Sequence, residues 1–284
     1  TWLWVIVVVV FVPSFFAHCT LILFTIRERR SNKEYYKSLF YRLFVTQGVI
    51  ELVLLTTYLA VKILIKERLA GDDFIMSTNG GFFPKLYYYG TIYYFFTVQL
   101  WGVIVQSLAR FLMVCAPDSS AKLWLDSVTD LAWTAINTLV PFVVLFREVF
   151  QDAPQFVMDQ DGHANLLYSP LVSHSNATQS VITTMGAAII SALFNAFVLR
   201  KICMFKKDLQ SIRKHRLDVQ LGLVGCIHFI AQCSMAACHL IVMCSLNNQP
   251  FANIIRELYM IPAVILTFVN PWMLLITDKN LRTK

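Results

Sequence analysis

Seven hydrophobic segments recur along this chain of 284 residues, and most are long enough to cross the hydrocarbon core of a bilayer. One crossing takes roughly 20 residues at a helical rise of about 1.5 Å per residue. Because backbone polar groups in lipid must pair within their own segment, we predict that all seven segments are helices. The predicted spans are residues 2–26, 39–65, 88–116, 125–150, 179–203, 218–246 and 254–277. The expected fold is all-α, a single seven-transmembrane helix bundle over residues 1–284.

The composition supports lipid as the solvent for these segments. Hydrophobic residues make up 57% of the chain and charged residues 14%, and the mean hydropathy is +0.60. Such a chain has too little polar side chain to solvate a globular surface of this size. The first span is too long for a signal-peptide core, and the chain starts at Thr1 rather than Met. We therefore expect the native N-terminus to precede this sequence.

Lysine and arginine are distributed unequally between the two sets of connections, and this predicts the orientation of the bundle. Cytoplasmic loops retain positive charge during membrane insertion. One set of connections carries only Lys66, Arg68 and Lys85. The other set carries sixteen basic residues: Arg27, Arg29, Arg30, Lys33, Lys37, Lys122, Arg200, Lys201, Lys206, Lys207, Arg213, Lys214, Arg216, Lys279, Arg282 and Lys284. We predict the N-terminus outside the cell and the C-terminus inside, and the net charge of +7 then needs no nucleic-acid partner to explain it.

The seven cysteines all lie within or at the ends of the predicted helices. Because none lies in an outer loop, no extracellular disulfide framework is indicated. No Cys/His spacing is typical of a zinc site. His228 and His239 stand about 16 Å apart by helical rise, too far to ligate one metal ion. We predict no cofactor and no metal site.

The longest connection, residues 151–178, is polar and rich in turn-forming residues, and we predict that it forms an outer lid. It ends in the sequon Asn176-Ala177-Thr178. Asn176 is therefore a candidate for N-glycosylation on the outer side. The sequon lies so close to the fifth predicted helix that an unused motif is the alternative.

The third predicted helix carries Ala109-Arg110-Phe111 near its end, and Pro117 follows seven residues after the arginine. A charged residue in an apolar turn of a membrane helix is costly and marks a functional candidate. Arg110-Phe111 followed by Pro117 resembles the Asp-Arg-Tyr segment of rhodopsin-like receptors, with Ala109 at the acidic position. The resemblance implies that Arg110 meets a G protein, without an ionic restraint from the adjacent residue. The alternative is a snorkelling arginine that anchors the helix end.

The seventh predicted helix carries Asn270-Pro271-Trp272, which resembles the start of the Asn-Pro-x-x-Tyr motif of the same receptors, with leucine at the tyrosine position. A proline within a transmembrane helix frees a carbonyl and permits a bend. Glu51, near the middle of the second helix, is the predicted partner of Asn270 across the bundle. Glu51, Asn270 and Pro271 are therefore the candidate switch. A purely structural hydrogen bond between helices is the alternative.

Other features narrow the resemblance. The chain has no cysteine at the top of the third helix, no Cys-Trp-x-Pro in the sixth helix and no lysine in the seventh helix for retinal. The Phe40-Tyr41-Arg42 entry to the second helix, the region 99–117, the basic third inner loop and the Asn270-Pro271 ending resemble the nematode serpentine chemoreceptors. Among these, the gamma-related groups, including class V, are the most similar.

The resemblance implies a G-protein-coupled chemosensory receptor at the plasma membrane, including that of a sensory cilium. Its expected partners are a small-molecule ligand, a heterotrimeric G protein and the lipid bilayer, and neither catalysis nor nucleic-acid binding is expected. The predicted G-protein contacts are Arg110, Lys206, Lys207, Arg213, Lys214 and Arg216.

The outer ends of the third, sixth and seventh helices are rich in aromatic side chains with a few polar ones. Apolar walls with few polar points suit a small molecule. The predicted ligand-binding residues are Tyr93, Phe96, His239, Arg256, Glu257 and Tyr259. For Tyr87, Tyr88 and Tyr89, an interfacial aromatic belt is the alternative.

Two other functions remain open, a seven-helix transporter and a ligand-gated channel. Transporters of this size usually contain internal repeats, and none is visible in the chain. A channel of the insect odorant-receptor kind has its N-terminus inside, opposite to the charge bias. An intramembrane enzyme would need a nucleophile–base pair or a metal site. Asp126 and Asp130, one turn apart near Lys122, are better explained as a solvated helix cap than as catalytic carboxylates.

Overall fold

Seven long helices make up most of the structure. The computed structural model describes residues 2–31, 34–66, 69, 71–149, 154–158, 164–167, 170–205, 212–245, 251, 254–255 and 258–277. We number the long helices α1 (Trp2–Arg30), α2 (Leu39–Lys66), α3 (Tyr94–Cys115), α4 (Asp130–Val149), α5 (Pro170–Phe205), α6 (Ile212–Cys244) and α7 (Met260–Thr277). The shorter elements are a 3₁₀ helix (Glu34–Lys37), α-helical turns (Asp72–Ser77, Phe83–Lys85, Ser120–Ser127) and a π-helix (Leu86–Tyr93) that leads into α3.

Five of the described helices, α1, α2, α3, α5 and α6, are long and apolar enough to cross a membrane. The helix Ser120–Ser127 and α4 make a sixth candidate if the pair counts as one span. In α7 the apolar stretch is shorter, Ile261–Ile276. The predicted all-α membrane bundle is confirmed.

The chain turns within the fourth predicted span, where the sequence predicts a continuous helix over 125–150. Ser120–Ser127 and α4 are bent by 100° relative to each other. Each piece has its own N-cap: the Ser119 hydroxyl accepts from the Lys122 N–H, and the Thr129 hydroxyl accepts from the Ala132 N–H, both at 3.2 Å. Side-chain caps satisfy amide groups that a helix start leaves open. Two caps ten residues apart therefore give two helices.

Two other helix starts differ from the predicted ones. α5 begins at Pro170, nine residues before the predicted start at residue 179. Proline is tolerated in the first turn of a helix, since its missing N–H would have no helical partner there. α7 begins at Met260 rather than at residue 254, although residues 254–255 and 258 are also helical. Residues 256–257 lie outside the described part of the chain.

The connection predicted as an outer lid contains a β-hairpin that the sequence did not predict. Strands β1 (Gln155–Met158) and β2 (Ala164–Leu167) pair antiparallel. Asn79 bonds the backbone of Phe156 twice: its Nδ2 donates to the carbonyl at 2.7 Å, and its Oδ1 accepts from the N–H at 2.8 Å. Phe156 is buried and packs on Tyr87. Strands of four residues carry too little alternation to be recognised from sequence.

The bundle has two ends, which we name by their residues. The hairpin end contains β1, β2 and the π-helix. The basic end contains Arg29 and Arg42, each of which is bonded to Asp130. Between the ends, one apolar cluster contains buried side chains from α1, α2, α3, α5, α6 and α7. A second cluster joins α2 and α3 to α4 around Trp133.

Candidate functional site

Three of the predicted ligand-binding residues meet in the hairpin half of the bundle. Phe96 of α3, His239 of α6 and Tyr259, just before α7, form what we call the aromatic triad. Their ring centroids are 5.2 Å apart for Phe96–His239, 5.6 Å for Phe96–Tyr259 and 4.8 Å for His239–Tyr259. The tilted and edge-on geometries are those that aromatic pairs prefer. The triad therefore joins three separate helical segments at one point.

Two polar atoms of the triad have no hydrogen-bond partner among the described residues. These are Nε2 of His239 and the hydroxyl of Tyr259, and both atoms are buried. A buried polar group without a partner costs about 1–3 kcal/mol. A ligand with a hydroxyl or carbonyl group would recover this cost by bonding to them. The triad thus combines three packed aromatic rings with two buried polar atoms.

The neighbouring tyrosines are inside the protein. Tyr87, Tyr88 and Tyr89 are buried, so they do not form the lipid-facing belt that was the alternative interpretation. Tyr93, predicted to bind ligand, has its hydroxyl 3.2 Å from that of Tyr88. Arg256 and Glu257, the other predicted ligand-binding residues, lie outside the described residues. The predicted pocket is therefore described only in part.

The sequon asparagine, Asn176, lies inside the protein. The sequon lies within α5, and Asn176 is 1% exposed. Its Nδ2, the atom that would carry a glycan, donates to the Tyr88 hydroxyl at 3.3 Å. An oligosaccharide needs an accessible amide nitrogen. The burial of Asn176 favours the alternative interpretation, an unused sequon.

Two glutamines that the sequence analysis did not single out tie the middle of the bundle together. Gln47 Nε2 donates to Glu51 Oε1 at 2.9 Å and to the Val98 carbonyl of α3 at 3.2 Å. Gln99 Nε2 donates to the Ala263 carbonyl of α7 at 2.9 Å, and also to the Thr267 hydroxyl. Polar side chains at mid-membrane positions are the sequence signal that could have identified both glutamines.

The two receptor-like motifs meet in the basic half of the bundle. Arg110 Nη2 donates to Oδ1 of Asn270 at 3.2 Å, and Asn270 Nδ2 donates to Gln106 Oε1 at 2.7 Å. We call these three residues the α3–α7 lock. Its geometry corrects one expectation, because Asn270 is bonded to α3 and not to Glu51, whose partner is Gln47 in its own helix. Pro271 is buried beside the lock.

Arg110 does not snorkel. Its side chain is 0% exposed, and its guanidinium lies over the ring of Phe40 with 5.9 Å between the guanidinium carbon and the ring centroid. No described carboxylate forms an ion pair with it, and Nε and Nη1 have no partner in the described part of the chain. An unpaired buried charge costs several kcal/mol. An arginine that only anchors a helix avoids this cost, because it keeps its charged group in water. The position therefore indicates a function other than anchoring.

An ionic tie at the basic end was missed by the sequence analysis. Asp130 accepts from Arg29 of α1 and from Arg42 of α2, both at 2.8 Å. Arg42 also donates to the carbonyls of Asp126 and Val128, where the chain bends before α4. Asp130 thus joins three helices and is not simply a solvated cap. Asp126 pairs with Lys122 at 3.2 Å, as the cap interpretation expected.

The basic segment between α5 and α6 is only partly described. Lys206 and Lys207 lie outside the described residues. Arg213, Lys214 and Arg216 lie in the first turns of α6, where only the backbone is described. Of the predicted G-protein contacts, Arg110 alone has described side-chain partners.

Comparison with known families agrees with this architecture. A family model described as "Serpentine type 7TM GPCR chemoreceptor Srv" matches residues 4–284. No curated protein matches the chain. The family match covers nearly all of the chain, including the aromatic triad, the α3–α7 lock and the ionic tie. The chain therefore belongs to the Srv family of serpentine seven-transmembrane G-protein-coupled chemoreceptors.

Proposed function

We propose that this receptor binds a small molecule at the aromatic triad and activates a heterotrimeric G protein at its basic end. One observation carries the proposal: Arg110, fully buried, is hydrogen-bonded to Asn270 of α7. The excess of lysine and arginine supports a cytoplasmic basic end, and hence an extracellular hairpin end, in the plasma membrane. The membrane of a chemosensory cilium is one example of such a plasma membrane.

Signal transmission follows from the helices that the two sites share. Phe96 and Arg110 are both on α3, fourteen residues (96 to 110) or about 21 Å apart by helical rise. Tyr259 lies just before α7, and Asn270 lies within α7. Between the sites, Gln99 bonds the Thr267 hydroxyl. A ligand that moves the start of α7 relative to α3 therefore strains the bonds that hold Arg110.

Release of Arg110 is the proposed activating step. With Asn270 displaced, the guanidinium can turn toward the basic end, where its five donors can bind backbone carbonyls of an inserted G-protein segment. The basic residues Lys206, Lys207, Arg213, Lys214 and Arg216 then contribute long-range attraction for an acidic partner surface. The lock holds the resting state, and the free arginine serves the active state.

The test is Arg110→Lys, because lysine keeps the charge but loses the planar fork. We expect normal surface expression and a steep loss of nucleotide exchange on a co-expressed G protein. The stimulus is any agonist found in a screen of small volatile and water-soluble molecules. Arg27→Lys, at an exposed arginine of α1, is the matched control and should signal normally. Full signalling by Arg110→Lys would contradict the coupling role.

A further inference from the structure

We propose that the ligand is a neutral, lipid-soluble molecule that reaches the aromatic triad from the bilayer, through a seam between α4 and α5. This inference rests on the proposed function, since it assigns a chemical class and an entry route to the ligand of the same pocket. Four features of the seam support it: an open contact between two helices, a link to the triad, an uncharged lining and a buried hydroxyl without a partner.

The seam exists because α4 and α5 each pack on α3 but, in the described part of the chain, hardly touch each other. A shallow cleft lies on it in the hairpin half, with Phe96 and Thr97 of α3 at its floor and a free volume of about 10 Å³, roughly that of one water molecule. A ligand must therefore widen this cleft as it enters. Val144 of α4 and Thr183 of α5 line opposite sides. Val144 is 44% exposed, so the cleft opens on the outer surface of the bundle. In a membrane, that surface faces lipid chains.

The surface around the opening is apolar. Leu139 and Val143 of α4 and Ile182 of α5 are all more than half exposed. Side chains of this kind on a membrane helix are solvated by acyl chains. A lipid-soluble compound is concentrated in the same layer, because its apolar surface is removed from water there. The opening therefore faces the phase in which such a compound accumulates.

Phe96 connects the cleft to the triad. One side of its ring lines the cleft, and the same ring contacts His239 and Tyr259. Phe96 is 4% exposed, so its ring lies between the cleft and the other two rings of the triad. Rotation of this one side chain would bring a molecule in the cleft within reach of Nε2 of His239 and the Tyr259 hydroxyl.

The lining of the cleft indicates the class of ligand. Among the described residues the lining contains no charged side chain, and its polar groups are hydroxyls and one amide, that of Gln179. The hydroxyls of Thr97 and Thr183 donate to carbonyls of their own helices, so they can only accept from a ligand. The Ser180 hydroxyl is buried without a partner among the described residues. A charge would be costly here, whereas an apolar body with a hydroxyl or carbonyl group fits.

The experiment uses a matched pair of photoreactive probes, 4-benzoylbenzyl alcohol and 4-benzoylbenzoate, which differ in charge at one end. The receptor is reconstituted in phosphatidylcholine vesicles, irradiated with each probe and digested, and labelled peptides are quantified by mass spectrometry. Labelling is normalised to lipid-facing positions of α1. We expect the alcohol, but not the carboxylate, to label the peptides that contain Phe96 and residues 179–183.

Filling the cleft provides the decisive comparison. Thr183→Trp should lower labelling at Phe96 about fivefold or more, equivalent to about 1 kcal/mol of lost binding. Ile182→Trp adds the same ring to the adjacent, lipid-facing position and should leave labelling unchanged. If Thr183→Trp does not fold, Val144→Trp makes the same test from the opposite side, with Val143→Trp as its control. Equal labelling in the filled and control variants, or by both probes, would overturn the route.

Failure of this inference can be told apart from failure of the proposed function. Labelling at Phe96 could be the same in the filled and control variants while Arg110→Lys still abolishes G-protein activation. This result would support the receptor function and refute the lateral route. If the cleft is labelled as expected while Arg110→Lys signals fully, the route stands and the coupling role of Arg110 falls.

Discussion

Removing the acceptor of the α3–α7 lock should make the receptor active without ligand. Asn270→Ala deletes the bond from Arg110 and the bond to Gln106. Hydrogen bonds to charged groups contribute about 1.5–3 kcal/mol, and bonds between transmembrane helices reach about 1.7 kcal/mol. We take about 1.5 kcal/mol as the share of this bond energy that stabilises the resting state alone. Its loss shifts the equilibrium between resting and active receptor roughly tenfold. A resting receptor that is about 1% active would become about 10% active.

The assay is ligand-free nucleotide exchange on a co-expressed G protein, divided by the amount of receptor at the cell surface. Asn137→Ala is the matched control, because Asn137 is also a buried asparagine but has no side-chain partner among the described residues. It should leave basal exchange unchanged. Asn270→Asp should have the opposite effect, since a carboxylate beside Arg110 adds an ion pair to the resting state. Basal exchange that is equal in Asn270→Ala and the control would refute the lock.

Three further outcomes are expected. Asp130→Asn should lower the melting temperature in detergent by roughly 2–4 °C, as for a loss of about 1 kcal/mol, because Asp130 is partly exposed; Asp126→Asn, which loses one exposed pair, should change it less. Tyr259→Phe should weaken agonist potency about tenfold without lowering the melting temperature, since the hydroxyl has no described protein partner; unchanged potency would remove it from the pocket. In a cysteine-free background, Gln155→Cys should react with an impermeant reagent from outside and Ser127→Cys only from inside; the reverse pattern would invert the receptor.

The sequence was sufficient for the helices because hydropathy depends on composition over a long window. It failed at their ends, where single side chains decide. The caps at Ser119 and Thr129 break the fourth span, and no hydropathy window detects a cap. Pro170 looked like part of a loop but begins α5, since proline is as compatible with a first helical turn as with a connection. The hairpin strands were too short to show a pattern.

The sequence indicates how deep a side chain of the candidate site lies in the membrane, but not which neighbouring helix it faces. Counting residues from a helix end gives the level of a side chain in the membrane, and the rings of Phe96, His239 and Tyr259 do contact one another. The same counting placed Glu51 and Asn270 near each other in depth. Which face of a helix points at which neighbour is set by packing between helices, and the sequence of one helix does not give its rotation relative to another. The pairing of Asn270 with Arg110 could not be read from sequence for that reason.

The position of the lock changes what the missing acidic residue beside Arg110 implies. A carboxylate at position 109 would restrain the arginine from within α3, and ligand-driven motion of α7 would not act on that bond. With alanine there, the described restraint is Asn270, on the helix that starts beside Tyr259. The restraint is an amide rather than a carboxylate, so it is weaker than an ion pair and needs less ligand-binding energy to break. Gln99 and Thr267 join the same two helices between the triad and the lock. A shift of α7 relative to α3 therefore changes the contacts at both the triad and the lock. The cleft lining favours a ligand with only one or two polar groups. Such a ligand can bind the active state more tightly than the resting state by about 1–3 kcal/mol, which is similar to the strength of the bond between Arg110 and Asn270.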